Sequence, residues 1–290
     1  MRRQKAFSLV ELLVVLGILV ILFAIVYPAI AKSIEATQKT HALSNLKHLS
    51  AAFLQYSVDH EGHLPYAFAW DELDAKWRFD TGLPKPVAIP SGWPSESDYS
   101  EESVQKGDLF HWSHAVHRYT KSFDLYEAPG LPTSSLIPSS MTRTSEPAKC
   151  SFTFNGLLHH YPLSNVQNPS RTPLLWMGFG RTTLMGFAAT NPYLHCSDST
   201  SSGDCQYKPI GGPKGSLFGI KDSSIRAESM WVYGKGAPIA YIDGSARMQN
   251  FAARKNDPSR EPFESYDSKG VPISYFSQNL VPDLFKPDQN

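Results

Sequence analysis

Residues 9–30 read LVELLVVLGILVILFAIVYPAI, an apolar run whose one charged side chain is Glu11. About 20 consecutive apolar residues suffice to cross a bilayer as a helix. Only a helix satisfies its own backbone hydrogen bonds within one segment in hydrocarbon. The run therefore predicts a membrane-spanning helix. Arg2, Arg3 and Lys5 precede it, and flanking basic residues favour the cytoplasmic side. The N-terminus is thus expected in the cytoplasm, with the chain beyond residue 31 facing the periplasm or the exterior. Two plainer readings compete. A secretory signal peptide has a shorter apolar region, about 7–15 residues, ending in a small-residue cleavage site. A simple signal anchor accounts for the length but gives Glu11 no task.

Glu11 carries the most information in the run. A carboxylate in a spanning segment costs about 2.5–3.5 kcal/mol on insertion scales. It therefore calls for a partner or a route to the interface. Cleavage between Ala6 and Phe7 would give Phe7 a positive α-amine and make Glu11 the fifth residue of the shortened chain. The carboxylate then suits the amine of a neighbouring subunit inside a filament. The alternative is a side chain that snorkels to the membrane surface.

Residues 5–28, KAFSLVELLVVLGILVILFAIVYP, resemble the cleavage and methylation segment of type IV prepilins and type II secretion pseudopilins. The resemblance implies a leader ending at a small residue, an aromatic first mature residue that becomes N-methylated, and a glutamate at mature position five. Phe7 and Glu11 match these positions, and Pro28 matches a helix-kinking proline common in such proteins. The residue before the cut is usually glycine and is here Ala6. The implied partners are a prepilin peptidase, other pilin or pseudopilin subunits, and the inner membrane.

The helical pattern continues past the apolar run. Ile34, Leu43, Leu46, Leu49, Phe53 and Tyr56 recur mostly at spacings of three and four, which makes one apolar face. Gly62 and Pro65 supply the stop. A helix over residues 8–60 would be nearly 80 Å long at about 1.5 Å per residue. Pro28 removes one backbone donor and is expected to bend it near the membrane exit. Residues 41–65, HALSNLKHLSAAFLQYSVDHEGHLP, resemble a prepilin-like subfamily of planctomycete- and verrucomicrobia-type bacteria, at Ser44, Asn45, Leu46, Lys47, Asp59, Gly62 and Pro65. That subfamily often ends in a His, then nine residues, then Asp-Gly. Asp243 and Gly244 fit the Asp-Gly, but the His position is Tyr233.

Residues 66–106 are rich in Pro, Gly, Ser and aromatics, and read as a long loop region with short strands. DLFHWSHAVHRY, residues 108–119, reads as one short helix. CSFTFNGLL, TPLLWMGF, SMWVYG and PIAYIDGSARMQNF read as strands, with Asp243-Gly244 as a two-residue hairpin turn. The expected fold class is α+β and pilin-like, a long helix packed on an antiparallel sheet with long loops. The expected divisions are a leader over residues 1–6, a transmembrane segment over 7–31, the amphipathic half of the same helix over 32–62, and an exported globular domain over 63–290.

The remaining chemistry-bearing residues suggest structure before catalysis. Cys196 and Cys205 bracket a short polar loop, and export permits a disulfide there, worth about 3 kcal/mol through the unfolded state. Free thiols are the alternative. Cys150 reads as a buried strand residue. Asp198 and Asp204 sit in the same loop and offer a thin calcium motif. His111, His114 and His117 recur every third residue, which on a helix suits either a metal or a buried aromatic face. His159 and His160 are adjacent and would point to opposite faces of a strand. No phosphate loop, nucleophile elbow or metalloprotease signature is present. Balanced charge, 27 basic against 27 acidic residues, implies no nucleic-acid partner. The expectation is a non-enzymatic filament subunit without cofactor or metal; a membrane-anchored binding module that does not polymerise is the alternative.

Overall fold

The computed structural model describes residues 9–73, 75–78, 86–95, 97–134, 142–178, 180–191, 193–194, 209–210, 232–234, 236–250 and 285–288. Its dominant element is α1, Leu9–Asp59, one uninterrupted helix that contains Pro28. The helix ends where the sequence marks it. Glu61 and Gly62 take left-handed backbone angles, φ 53° and 81°. Gly62 N–H closes back on Ser57 O at 2.8 Å, the six-to-one bond that ends a helix after a left-handed residue.

The C-terminal half of α1 buries Ala42, Leu46, Leu49, Phe53 and Tyr56, spaced by four, three, four and three residues. Ser50, Ala52 and Ser57 fill the flanks of that stripe, since small side chains let the sheet approach the helix closely. Ile34, assigned to the stripe from the sequence, is instead 52% exposed and lies outside the buried face of the helix.

The main sheet has four antiparallel strands in the order Ala246–Asn250, Gly236–Tyr241, Pro173–Trp176, Thr153–Phe154. Phe154, Leu175 and Ala240 pair across it in one row, and Thr153, Trp176 and Ile239 in the next. Side chains alternate faces along a strand. The first row faces α1, because the Phe154 ring lies 5.0 Å from that of Phe53. The second row packs away from it, with Trp176 against Phe285 at 4.9 Å. The fold is therefore α+β, with a long helix on antiparallel strands as expected.

Several expectations for the body need correction. Residues 97–108 hold two short helices, α2 (Ser97–Ser100) and α3 (Glu102–Asp108), inside or at the edge of the stretch read as strands and loops. Residues 108–119 do not form one helix. The chain leaves α3 at Asp108 and restarts as α4 (Trp112–Ala115) and α5 (His117–Thr120). One local bond and one buried side chain explain the restart. His111 Nδ1 accepts from Ser113 N–H and so caps α4 at an extended residue, and His111 is itself buried. Cys150–Leu158 is not a single strand either. Asn155 interrupts it, its side chain accepting from Leu157 N–H to open a 3-10 turn, Gly156–Leu158. Of SMWVYG, residues 232–234 form a turn in which Tyr233 bridges Gly236, and the rest lies outside the described residues.

The Asp243-Gly244 hairpin exists, with a different loop. Gly244 N–H bonds Tyr241 O at 3.0 Å and Tyr241 N–H bonds Ser245 O at 2.8 Å. Gly244 has a positive φ, 81°, and Asp243 does not. This is a three-residue loop with a left-handed glycine bulge, whereas a two-residue type I′ turn needs positive φ at both central positions. The Asp243 carboxylate secures it by accepting from Ser245 N–H and Oγ, at 2.9 and 2.6 Å.

Candidate functional site

Among the described residues, α1 is the one helix long and apolar enough to cross a membrane. Every residue of its first 22 positions, 9–30, is exposed, and none of that segment packs on the body. At about 1.5 Å per residue it is about 33 Å long, a little more than the roughly 30 Å hydrocarbon core. A contiguous apolar surface of this size marks a membrane or protein contact. Here it extends right around the helix, as a lipid-spanning or bundle-core helix requires.

Glu11 lies in the first turn of α1, at the far end from the body, and is exposed in the isolated chain. Its carboxylate also sits favourably toward the positive end of the helix dipole. Pro28 lies close to the end of the apolar run. Ala6 and Phe7, the expected cleavage pair, lie outside the described residues, as do Cys196, Cys205, Asp198 and Asp204.

What fixes this segment relative to the body is the other half of the helix. Asn45 Nδ2 donates to Glu127 O at 2.9 Å, and Tyr119 Oη donates to Asp59 Oδ2 at 2.8 Å. Phe53 lies against Trp112 at 6.0 Å as well as Phe154. Between anchor and span, Thr37 and Thr40 return their hydroxyl protons to the carbonyls of Ser33 and Ala36, both at 2.9 Å. These hydroxyls are thereby satisfied within the helix.

The histidines are taken up separately. His111 Nδ1 meets Ser113 Oγ at 2.7 Å, His114 Nε2 meets Ala88 O at 2.9 Å, and the His117 ring stacks on Phe123 at 3.9 Å. Burial pushes all three below the usual imidazole range, most strongly at His111. Among the described residues no group of three or more His, Cys, Asp and Glu is arranged to hold a metal ion. His159 and His160 do not divide between two faces of a strand. A left-handed His160, φ 46°, turns the chain so that both rings meet Tyr66, at 5.3 and 4.3 Å. Cys150 is buried in the strand Lys149–Cys150, and burial pushes its thiol up to about 12.

Sequence reasoning missed one buried ion pair. Arg78 donates to Asp108 Oδ1, and Ser91 Oγ donates to Oδ2 at 2.8 Å. Burial raises the Asp108 carboxyl, with Arg78 opposing. These partners lie 30 and 17 positions away, beyond any local pattern. It also missed a cleft of about 380 Å³ beside the end of α1, whose walls include Tyr56, His60, Tyr66, Phe110 and Arg118. Burial, reinforced by Tyr66 and Tyr119, pushes the Tyr56 hydroxyl up to about 12.

Compared with known proteins, residues 1–27 match the prokaryotic N-terminal methylation motif. No curated protein and no solved structure matches the chain. The matched motif, continued by a long apolar helix that stands clear of the body, supports a type IV pilin- or pseudopilin-like precursor anchored in a membrane by its N-terminal helix.

Proposed function

We propose that the chain is a structural subunit, of the minor kind, in a filament of the type IV pilus or type II secretion pseudopilus class. A prepilin peptidase removes residues 1–6 and exposes Phe7, whose amine is then methylated. The apolar halves of the helices bundle in the filament core, and Glu11 sets the axial register by pairing with the amine of a neighbouring subunit. Before assembly the N-terminus lies in the cytoplasm, the span in the inner membrane and the body in the periplasm. The body has no enzymatic role in this reading. A body of residues 63–290 is large for a tightly repeated shaft, which favours a minor or specialised subunit. The sequence landmarks of residues 41–65 and Asp243-Gly244 support a divergent member of the planctomycete- and verrucomicrobia-type subfamily, with Tyr233 where that subfamily has its His.

One observation carries this reading: a single helix, Leu9–Asp59, is wholly exposed in its apolar half and buried against the sheet in its other half. A carboxylate in the first turn of that exposed half needs a positive partner once lipid or other helices surround it. A second reading, an anchored module that binds a ligand without polymerising, draws on the aromatic-walled cleft at Tyr56, Tyr66 and Phe110.

The decisive measurement is the intact mass and N-terminal peptide mass of the protein from its native membrane fraction. A chain starting at N-methylated Phe7 is the expected result. An uncut N-terminus in cells with an active prepilin peptidase would sink the filament reading. Recovery in sheared filaments, against recovery only as a detergent-soluble monomer, separates the two readings.

A further inference from the structure

A second cavity, of about 250 Å³, opens where α1 leaves its apolar run. Glu35 and Gln38 on α1 line one side, and Gly130, Arg181 and Tyr233 of the body line the other. Its helix wall begins at Ala31, one residue beyond the apolar run, and Glu35 lies five residues beyond it. At about 1.5 Å per residue those positions are about 1.5 and 7.5 Å past the run. The polar headgroup layer is about 5–7 Å deep on each side of the hydrocarbon core. If the apolar run spans the bilayer, the cavity therefore opens within the headgroup layer, with Glu35 at the outer edge of that layer and Gln38 beyond it.

The lining has a particular charge arrangement. Arg181 and Glu35 carry opposite charges in one cavity, yet they form no ion pair with each other or with any other described residue. Two glycines line it: Gly234 takes φ 64°, and Gly130 lies so close to the Gln38 amide that a side chain there would collide with it. The Tyr233 hydroxyl is already committed, donating to Pro129 O at 2.7 Å. A ligand fitting this lining brings an anionic group to the guanidinium, which forks onto phosphate oxygens, and a hydrogen-bonding cation to the carboxylate.

We propose that this cavity holds the phosphoethanolamine headgroup of a membrane phospholipid, with phosphate on Arg181 and ammonium on Glu35. The proposal rests on the membrane-anchored reading above. Phosphatidylglycerol offers the phosphate but leaves Glu35 without a cation. Phosphatidylcholine offers a cation with no N–H to donate. The bound lipid ties the body to the membrane surface and fixes how far α1 protrudes before a subunit is withdrawn into a filament.

The test uses the full-length protein reconstituted in vesicles of equal parts phosphatidylethanolamine, phosphatidylglycerol and phosphatidylcholine. Flotation establishes insertion, and native mass spectrometry after detergent release reads the retained lipid. The wild type is expected to keep phosphatidylethanolamine at least tenfold over the other two. Arg181→Ala should abolish retention, and Glu35→Gln should remove the preference over phosphatidylglycerol while leaving phosphate binding. Both side chains are exposed, so a circular dichroism spectrum matching wild type is expected of each. Equal retention of the three lipids, or a preference unmoved by both variants, overturns the proposal. So does occupancy by free phosphoethanolamine in detergent without retained phosphatidylethanolamine, which would assign the cavity to a soluble ligand. A chain that does not float with the vesicles overturns the anchored reading along with it.

Discussion

Asn155 and Phe285, 130 positions apart in the chain, are joined by a 2.8 Å hydrogen bond from the Asn155 amide to the Phe285 carbonyl. The same amide donates to Pro173 O at 2.9 Å, and its oxygen accepts from Leu157 N–H at 3.1 Å. One fully buried side chain thus links the 3-10 turn, the central strand and the chain end, and seats the Phe285 ring on Trp176.

Replacing Asn155 by Ala strands two carbonyls and one N–H in the core. Each buried unsatisfied group costs about 1–3 kcal/mol. The variant should lose about 3 kcal/mol or more of unfolding free energy, measured by urea titration of the detergent-solubilised chain. Asn155→Asp keeps the acceptor and loses the donors, and should be similarly damaging. A loss under about 1 kcal/mol would contradict the bridging role.

Stability should fall as pH drops below about 6.5, the range where a free imidazole titrates. His159 is buried, Nδ1 accepts from Ala67 N–H at 3.0 Å, and burial depresses its pKa to about 3. Between those values the unfolded chain takes up a proton that the folded chain refuses, so stability present above pH 6.5 drains away toward pH 3. His111 and His114, also depressed by burial, act in the same direction. His159→Gln, which keeps an acceptor without the titration, should flatten the slope of melting temperature against pH in this window. An unchanged slope would refute the assignment.

Phe53 joins α1 to the main sheet through Phe154 and to α4 through Trp112. Truncation of a buried Phe to Ala costs about 3–5 kcal/mol. Phe53→Ala should therefore lower the melting temperature sharply and loosen α1 from the body, seen as new protease cleavage between residues 40 and 60. Phe23→Ala, in the exposed apolar segment, should leave the stability of the body unchanged.

Gly244 closes the hairpin with φ 81°. A side chain in left-handed backbone costs about 1–2 kcal/mol, and a Cβ here would also press on Leu54 at 3.1 Å. Gly244→Ala should cost at least about 1 kcal/mol in a denaturant titration. Gly244→Asn, which tolerates the left-handed region better, should cost less.

The sequence by itself determined the elements whose cause is local. Continuous apolarity over residues 9–30 and a three-four spacing from Leu46 to Tyr56 suffice for a spanning, then packed, helix, because helix bonds close within four residues. The Asp243-Gly244 turn was legible for the same reason, although its three-residue loop depended on how Tyr241 and Ser245 paired. The tertiary structure alone decided the rest. Residues 108–119 carry a helical pattern, yet burial of His111 and Trp112 and the ion pair of Asp108 with Arg78 break it into separate turns. His159 and His160 converge on Tyr66 because a left-handed residue redirects the chain. Glu35 and Arg181 share a cavity only because connecting segments of the body meet α1 at that height. No window of sequence holds both residues of such a pair, and contacts between distant segments are set by packing of the whole core rather than by propensity.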